Sequence, residues 1–419
     1  MILTTTDKLL LSALLPSAAS RARLRYLLTL HSSELDWKLI LRRADLHGIT
    51  PLLRFNLKNS NLLETLPAQA REALDTATHL WAARHLACRS EALRLVRALN
   101  AAQITAIPLK GMALILGGYY PQAGLRTAAD MDLLIPPAQI AEAERIAHKC
   151  GYLAKDHPDA LPGTTLLPPR ANHRLPAEMN HTEARRGPGG LMLELHRRAF
   201  HYARGARDFG FAEMGGQTVR RAGETGFELH LPAAEDLCLH LVHHVLVDLR
   251  STHLILRTMA DLFFIMQREP QALDKLKDRA AEIGLTGAVQ SAIELSALIR
   301  EGTLAELDQA GRDARTATLL EAALQERPGT MALAAWLFEY FDVKKTLRGG
   351  LRSLLAVAFT SREHLVRDFG APSAGKAYFY YPRRLFDLLG KFDWQSLHPI
   401  TLRRLMRLRK IGRPQTTGR

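Results

Sequence analysis

Between residues 104 and 135 the chain stops reading as helix throughout and strand-like runs enter, and this change of period constrains its fold more than any other feature. Before it, apolar residues recur at three and four in "DKLLLSALL", "DWKLILRRADLHGITPLLRFNLK" and "AREALDTATHLWAARHLACRSEALRLVRALNAA". After it the same texture returns in "AAEDLCLHLVHHVLVDL", "LILRTMADLFFIMQ", "DKLKDRAAEIGL" and "GAVQSAIELSALI". Pro and Gly fall mainly between these segments, and Ser or Asp stands where N-caps are expected. The interval runs "ITAIPLKG", "MALILGGYY" and "GLRTAADMDLLI", followed by "PAQIAEAERIAHKCGY", which by period is strand, helix, strand, helix, with Gly151 stopping the last helix. A section rich in Pro, Gly and His covers about 153–190, and "LMLELHRRAF" alternates around Glu194 and His196 as a further strand. The expected fold is α+β and helix-rich, a small mixed-sheet α/β core inside helical surroundings. The expected divisions are an N-terminal helical region (1–100), the α/β core (101–230), a helical domain (231–345) and a basic C-terminal extension (346–419).

The strand predicted at 130–135 begins with two acids. Side chains of a strand alternate, so Asp130 and Asp132 share one face and Met131 and Leu133 the other. Two carboxylates on one half-buried face repel each other and raise each other's pKa unless a cation neutralises them. A hard divalent ion with oxygen ligands does this, and Mg²⁺ is the usual occupant where phosphate completes its shell. A D-x-D alone is more often a solvated turn before a strand. Three neighbours favour the metal. Lys110-Gly111 ends the preceding strand, where glycine admits a close phosphate and lysine meets it as a point charge. Arg126 stands shortly before Asp130 and can meet an anion. Glu194, on the later strand, is placed to be a third carboxylate.

A chain of 419 residues, 47% hydrophobic and 23% charged, is a folded protein long enough for two or three domains. No run is long and apolar enough to span a membrane, and the N-terminus lacks the marks of a secretory signal, so the expected location is cytoplasmic. Cys88, Cys150 and Cys238 are widely spaced and suggest neither a disulfide framework nor a zinc site. The net charge of +14 points to anionic partners, nucleotide or RNA among them. Much of the excess lies in "TLRRLMRLRKIGRPQTTGR", which reads as a solvated terminus or as an arm for nucleic acid or membrane. The glycine-rich stretches fit neither a Walker A loop nor a dinucleotide fingerprint.

His196 shares a strand face with Glu194, either as an acid/base or phosphate contact or as a core-edge histidine with a backbone partner. His173 and His181 fall in the loop-rich section and read as solvated. In "LHLVHHVL", helical spacing puts His240 and His244 on one face with His243 beside them, but a third ligand is lacking and no metal is expected there. Arg257 and Asp261, at helical i, i+4 spacing, are expected to pair within one helix.

The run "IPLKGMALILGGYYPQAGLRTAADMDLLI", with the later "CGY" and "LMLELH", resembles the bacterial uncharacterised nucleotidyltransferase family of the polymerase-beta superfamily. The shared pattern is a strand ending in Lys-Gly, a Tyr-Pro element, Arg-x-x-x-Asp-h-Asp-h-h, a Gly-Tyr and Glu-h-His, where h is apolar. With "DWKLILRRADLHGITPLLR", "AAEDLCLHLVHH" and "LRTMADLFFIM", the resemblance covers roughly residues 35–270. It implies transfer of a nucleoside monophosphate from an NTP to a hydroxyl of a small molecule or protein, with two Mg²⁺ ions. Asp130 and Asp132 would be the metal ligands, and Glu194 would ligate metal or help deprotonate the acceptor. Lys110 and Gly111 would sit near the triphosphate, and Arg126 would offset its charge. The superfamily's usual Gly-Ser is Lys-Gly here and its distance to the first aspartate is longer, so Gly117-Gly118 is the alternative for the turn. Rival functions are a toxin–antitoxin nucleotidyltransferase acting on protein or tRNA, and a scaffold that binds nucleotide without turnover. Three costly acids held together argue against the second.

Overall fold

In the computed structural model the described residues are 2–128, 130–154, 182, 184–188, 190–200, 209–215, 219–222, 228–247 and 254–324, with 373, 376–382, 406, 407 and 411 beyond them. Most of the basic C-terminal extension, His173 and His181 lie outside this set.

The chain begins with α1 (Thr5–Ser12), α2 (Ala18–Leu30), α3 (Trp37–Leu46), α4 (Thr50–Asn59) and the long α5 (Ala68–Ala101). A capping box sets the start of α1: Thr4 Oγ1 accepts from the Asp7 amide and Asp7 answers to the Thr4 amide. Leu9, Leu10 and Leu11, apolar around most of the helix, are all fully buried. The α/β part follows as β1 (Ile107–Pro108), α6 (Lys110–Gly117), β2 (Asp130–Leu134), α7 (Ile140–Lys149), β3 (Leu153–Ala154), β4 (Arg185–Arg186) and β5 (Met192–His196). Then come α8 (Phe211–Gly215), the hairpin β6 (Val219–Ala222) and β7 (Glu228–Leu231), α9 (Ala234–Val242), α10 (Ile255–Arg268), α11 (Ala272–Ile283), α12 (Thr286–Glu301), α13 (Leu304–Ala310) and α14 (Ala314–Ala323). No helix among the described residues is long and apolar enough to cross a membrane.

The five-stranded sheet has the order β1-β2-β5-β4-β3, with β2 and β5 parallel and the other neighbours antiparallel. The fold is therefore α+β with a mixed sheet, as expected. Strand alternation divides its faces. Met131, Leu133, Leu193 and Leu195 enter one core with α7 and the second half of α5. Leu134, on the opposite face, belongs to the other core, which contains the N-terminal helices and α9 through α14. Helices that precede and helices that follow the α/β part thus share one interior, also joined by polar contacts. The Arg43 guanidinium pairs with Asp7 at 2.7 Å and donates to the Leu324 carbonyl at 2.8 Å, and Lys8 reaches Asp308 at 2.9 Å.

Two local expectations change. The strand read through Lys-Gly stops at Pro108, and Lys110 is already the first residue of α6. Proline has no amide to continue a ladder, and the Leu109 amide makes a single bond to the Asp132 carbonyl at 2.9 Å before the chain turns. After α9 the helix widens into a π-turn over His243–Val247, which shifts the phase of the side chains. His240 and His243 are therefore the buried pair, both stacked toward Phe200, while His244 is half-buried.

Candidate active site

The parallel pairing of β2 with β5 sets Asp132 directly opposite Glu194, and Asp130 opposite Met192. Two residues further along, His196 reaches back diagonally, its Nε2 2.8 Å from Asp132 Oδ1 and 3.8 Å from Glu194 Oε2. Ligand atoms of Asp132, Glu194 and His196 all lie within 4.8 Å of one another. Asp130 is exposed at the start of β2, outside that group but on the same strand face.

The cation inside the cluster is Lys110. Its Nζ lies 3.1 Å from Asp132 Oδ2, so that both oxygens of Asp132, 1% exposed, have a partner. Lys110 holds this position with φ at +48°, a left-handed conformation that costs a non-glycine residue about 1 kcal/mol or more. Strain of this kind persists where surrounding structure imposes it, here between the bond anchoring Leu109 to β2 and the first turn of α6.

These contacts give the acids different characters. Burial would raise the Asp132 carboxyl, but the Lys110 ammonium and the His196 hydrogen bond outweigh it and hold the group well below its usual range. Burial, and then the charge of Asp132, push Glu194 upward. Burial opposes the charge on Lys110, and Asp132, Asp130 and Glu194 more than restore it. Behind the cluster, His240 is driven well below its ordinary value by burial and then by Lys110, His196 and His243.

A second set lies beside Asp130. The Arg126 guanidinium, 4% exposed, donates from Nε to Asp261 Oδ1 at 2.7 Å and from Nη1 to the Thr127 carbonyl. Tyr120 donates to the same Asp261 oxygen at 2.6 Å. The predicted Arg257–Asp261 pair does not form, because Asp261 is turned from α10 toward Arg126 and Tyr120. Arg257 Nη1 reaches Thr127 Oγ1 at 3.4 Å instead. Gly111 gains a plain explanation: a Cβ there would lie 3.1–3.2 Å from the Arg126 guanidinium. Gly118, with φ at +62°, is the left-handed cap of α6, so the Gly117-Gly118 pair sits a helix length from Lys110.

Of the residues singled out from sequence, Lys110, Asp132, Glu194 and His196 come together, Asp130 stands at their open edge, and Arg126 lies under Gly111. Sequence reasoning missed the Tyr120–Asp261–Arg126 relay. Its visible signals were the aromatic doublet before Pro121 and an acid on the apolar face of α10.

The cluster suits a divalent cation. The two carboxylates supply the hard oxygen donors that Mg²⁺ or Mn²⁺ takes, the imidazole beside them is a softer donor better suited to a transition metal or to fixing Asp132, and Asp132 is already organised around positive charge. No curated protein and no solved structure matches this chain. The model of a family described as uncharacterised nucleotidyltransferase matches residues 33–300, more than half of the chain, and the protein belongs to that family.

Proposed function

We propose that the protein transfers a nucleoside monophosphate from an NTP to a hydroxyl group, in the manner of the polymerase-beta superfamily, with divalent metal, Mg²⁺ by preference, at Asp132 and Glu194. The observation that carries this reading is the opposed pair itself: two acids from neighbouring parallel strands, on one face, gathered with an imidazole and an ammonium. A family described as nucleotidyltransferase supports it. Metal bound there would neutralise the triphosphate and polarise the bond under attack. Asp130, at the solvent edge, completes the metal-binding face, and His196 either ligates metal or fixes the Asp132 carboxylate.

The chain's own groups supply the rest. Lys110, buried and kept charged by three acids, would be the ammonium available to phosphate oxygens if a metal were held by Asp132. Glu194 either ligates the metal or, where it does not, would accept the proton of the acceptor hydroxyl, a role its raised proton affinity suits. Arg126 places positive charge beneath the first turn of α6.

The test is transfer of label from an α-labelled NTP, with Mg²⁺ and cell extract, to an acceptor. Asp130→Asn with Asp132→Asn is expected to abolish labelling while far-UV circular dichroism stays unchanged. Equal labelling by the double variant would remove these acids from the reaction.

A further inference from the structure

Arg257 makes no ion pair with an acid among the described residues, although Asp261 and Asp130 lie near enough for their charge to act on it. Among the described residues no carboxylate oxygen lies within 4.0 Å of its guanidinium, and its one hydrogen bond there goes to Thr127 Oγ1 at 3.4 Å. Asp261, four residues on, has one oxygen committed to Arg126 and Tyr120, and its Oδ2 finds no hydrogen-bond partner. Two guanidiniums, Arg126 and Arg257, are thus neighbours over a single carboxylate. Burial, and then the charge of Arg126, bring the Arg257 pKa down to about 10.

Room is kept for both. A Cβ on Gly111 would press on the Arg126 guanidinium, and one on Gly48 would lie 3.0 Å from Arg257 Nη1 and 2.9 Å from Thr127 Oγ1. Gly48, at φ +63°, follows the end of α3, and Thr127 Oγ1 donates to its carbonyl at 3.2 Å. Three segments, the α3 terminus, the 126–127 loop and α10, therefore converge on this basic pair. Arg126 is sealed, whereas Arg257 is half-buried and keeps part of its surface accessible. The exposed Asp130 is the acid between the two groups, since its charge acts on Lys110 and Glu194 and also on Arg126 and Arg257.

We propose that Arg257, backed by Arg126 and steadied by Thr127, forms an anion site for phosphate oxygens of a ligand bound beside Asp130. Two packed guanidiniums share the one buried carboxylate of Asp261, and Asp130 acts on them from its exposed position on β2, so their positive charge is incompletely compensated inside the protein. A phosphate compensates it with charge-assisted hydrogen bonds in the planar geometry that arginine favours. Taking the anion as the polyphosphate of an NTP rests on the nucleotidyl-transfer reading; the anion site itself does not.

The experiment measures binding to the full-length protein without metal, by calorimetry and melting temperature, for wild type, Arg257→Gln and Arg257→Lys. The probes are inorganic tripolyphosphate, ATP and glycerol 3-phosphate. Arg257→Gln is expected to weaken binding about ten- to a hundredfold, with partial recovery in Arg257→Lys. Its melting temperature without ligand should be equal or higher, since the substitution removes a cation repelled by Arg126. Loss confined to tripolyphosphate and ATP assigns the site to the triphosphate tail, and loss confined to glycerol 3-phosphate assigns it to a phosphorylated acceptor. Unchanged affinity for all three probes in Arg257→Gln overturns the proposal. So does a lowered melting temperature with the ligand-induced rise intact, which would make Arg257 structural. Because no label transfer is measured, a failure here leaves the acids of the proposed reaction untouched, and a failed transfer assay leaves the anion site untouched.

Discussion

Lys110 Nζ and Asp132 Oδ2 lie 3.1 Å apart in the protein interior, an ammonium delivered from a strained helix start to a carboxylate from a strand. Any metal that uses Asp132 competes with this lysine for the same oxygen. In Lys110→Met the carboxylate keeps only His196, and breaking such a buried pair costs about 3–5 kcal/mol. Divalent cation should then return part of the loss, because it binds the native state alone. Urea unfolding of the variant with and without MnCl₂ checks this. A variant as stable as wild type without metal, or one that metal does not stabilise, refutes it.

His196 holds Asp132 from the other side. Imidazoles that orient a metal's carboxylate are worth about 10–100-fold in affinity. His196→Asn is expected to weaken Mn²⁺ binding by that factor, read by calorimetry or by the electron paramagnetic resonance signal of free Mn²⁺. Unaltered affinity would reduce His196 to a core-edge residue.

The relay on α10 carries a different signature. Tyr120→Phe removes one hydrogen bond to the Asp261 carboxylate and should cost about 1.5–3 kcal/mol. Asp261→Asn strips the buried carboxylate from beneath Arg126 and Arg257 and should cost about 3–5 kcal/mol. Chemical denaturation of both variants gives the comparison, and similar losses would contradict the charge argument.

His240 predicts a pH response. Its folded-state pKa is depressed by burial and by neighbouring Lys110, His196 and His243, whereas in the unfolded chain it titrates near about 6.5. Below that pH the unfolded state takes up the proton and the native state resists it, so stability is full above about 6.5 and falls with acidification. The slope is about 1.4 kcal/mol per pH unit. His85, also depressed by burial, contributes in the same direction in any variant that retains it. His240→Leu should therefore gain on wild type as the pH drops from 7 to 5, measured as the difference in unfolding free energy. Parallel pH profiles would show that His240 does not titrate this way.

The sequence carried the β2 acids, Glu194 and the α6 helix clearly, because strand alternation and helical period are local properties. Arg126 was legible as a cation near Asp130, but its burial under Gly111 was not, since that depends on α10 presenting Asp261 from far along the chain. The same distance explains the misread Arg257–Asp261 pair: i, i+4 spacing permits a pair, and a better-placed arginine on another segment takes the acid. His196 was ambiguous because its diagonal reach to Asp132 depends on the β2–β5 register, which a single strand does not disclose. The π-turn at His243 was hidden for a related reason, as histidine spacing alone assumes an unbroken helix.

The register of β2 against β5 also gives the molecule a means of reporting its own assembly. A slip of one residue would put Met131 and Leu193 where Asp132 and Glu194 stand, exchanging a dry core for two desolvated charges and dispersing the donors. If the proposed site holds a divalent metal, its affinity would be a proofreading readout during refolding, returning only when strands distant in sequence have paired in the native phase. Titrating Mn²⁺ along a refolding course would follow sheet closure itself, separately from the helices that surround it.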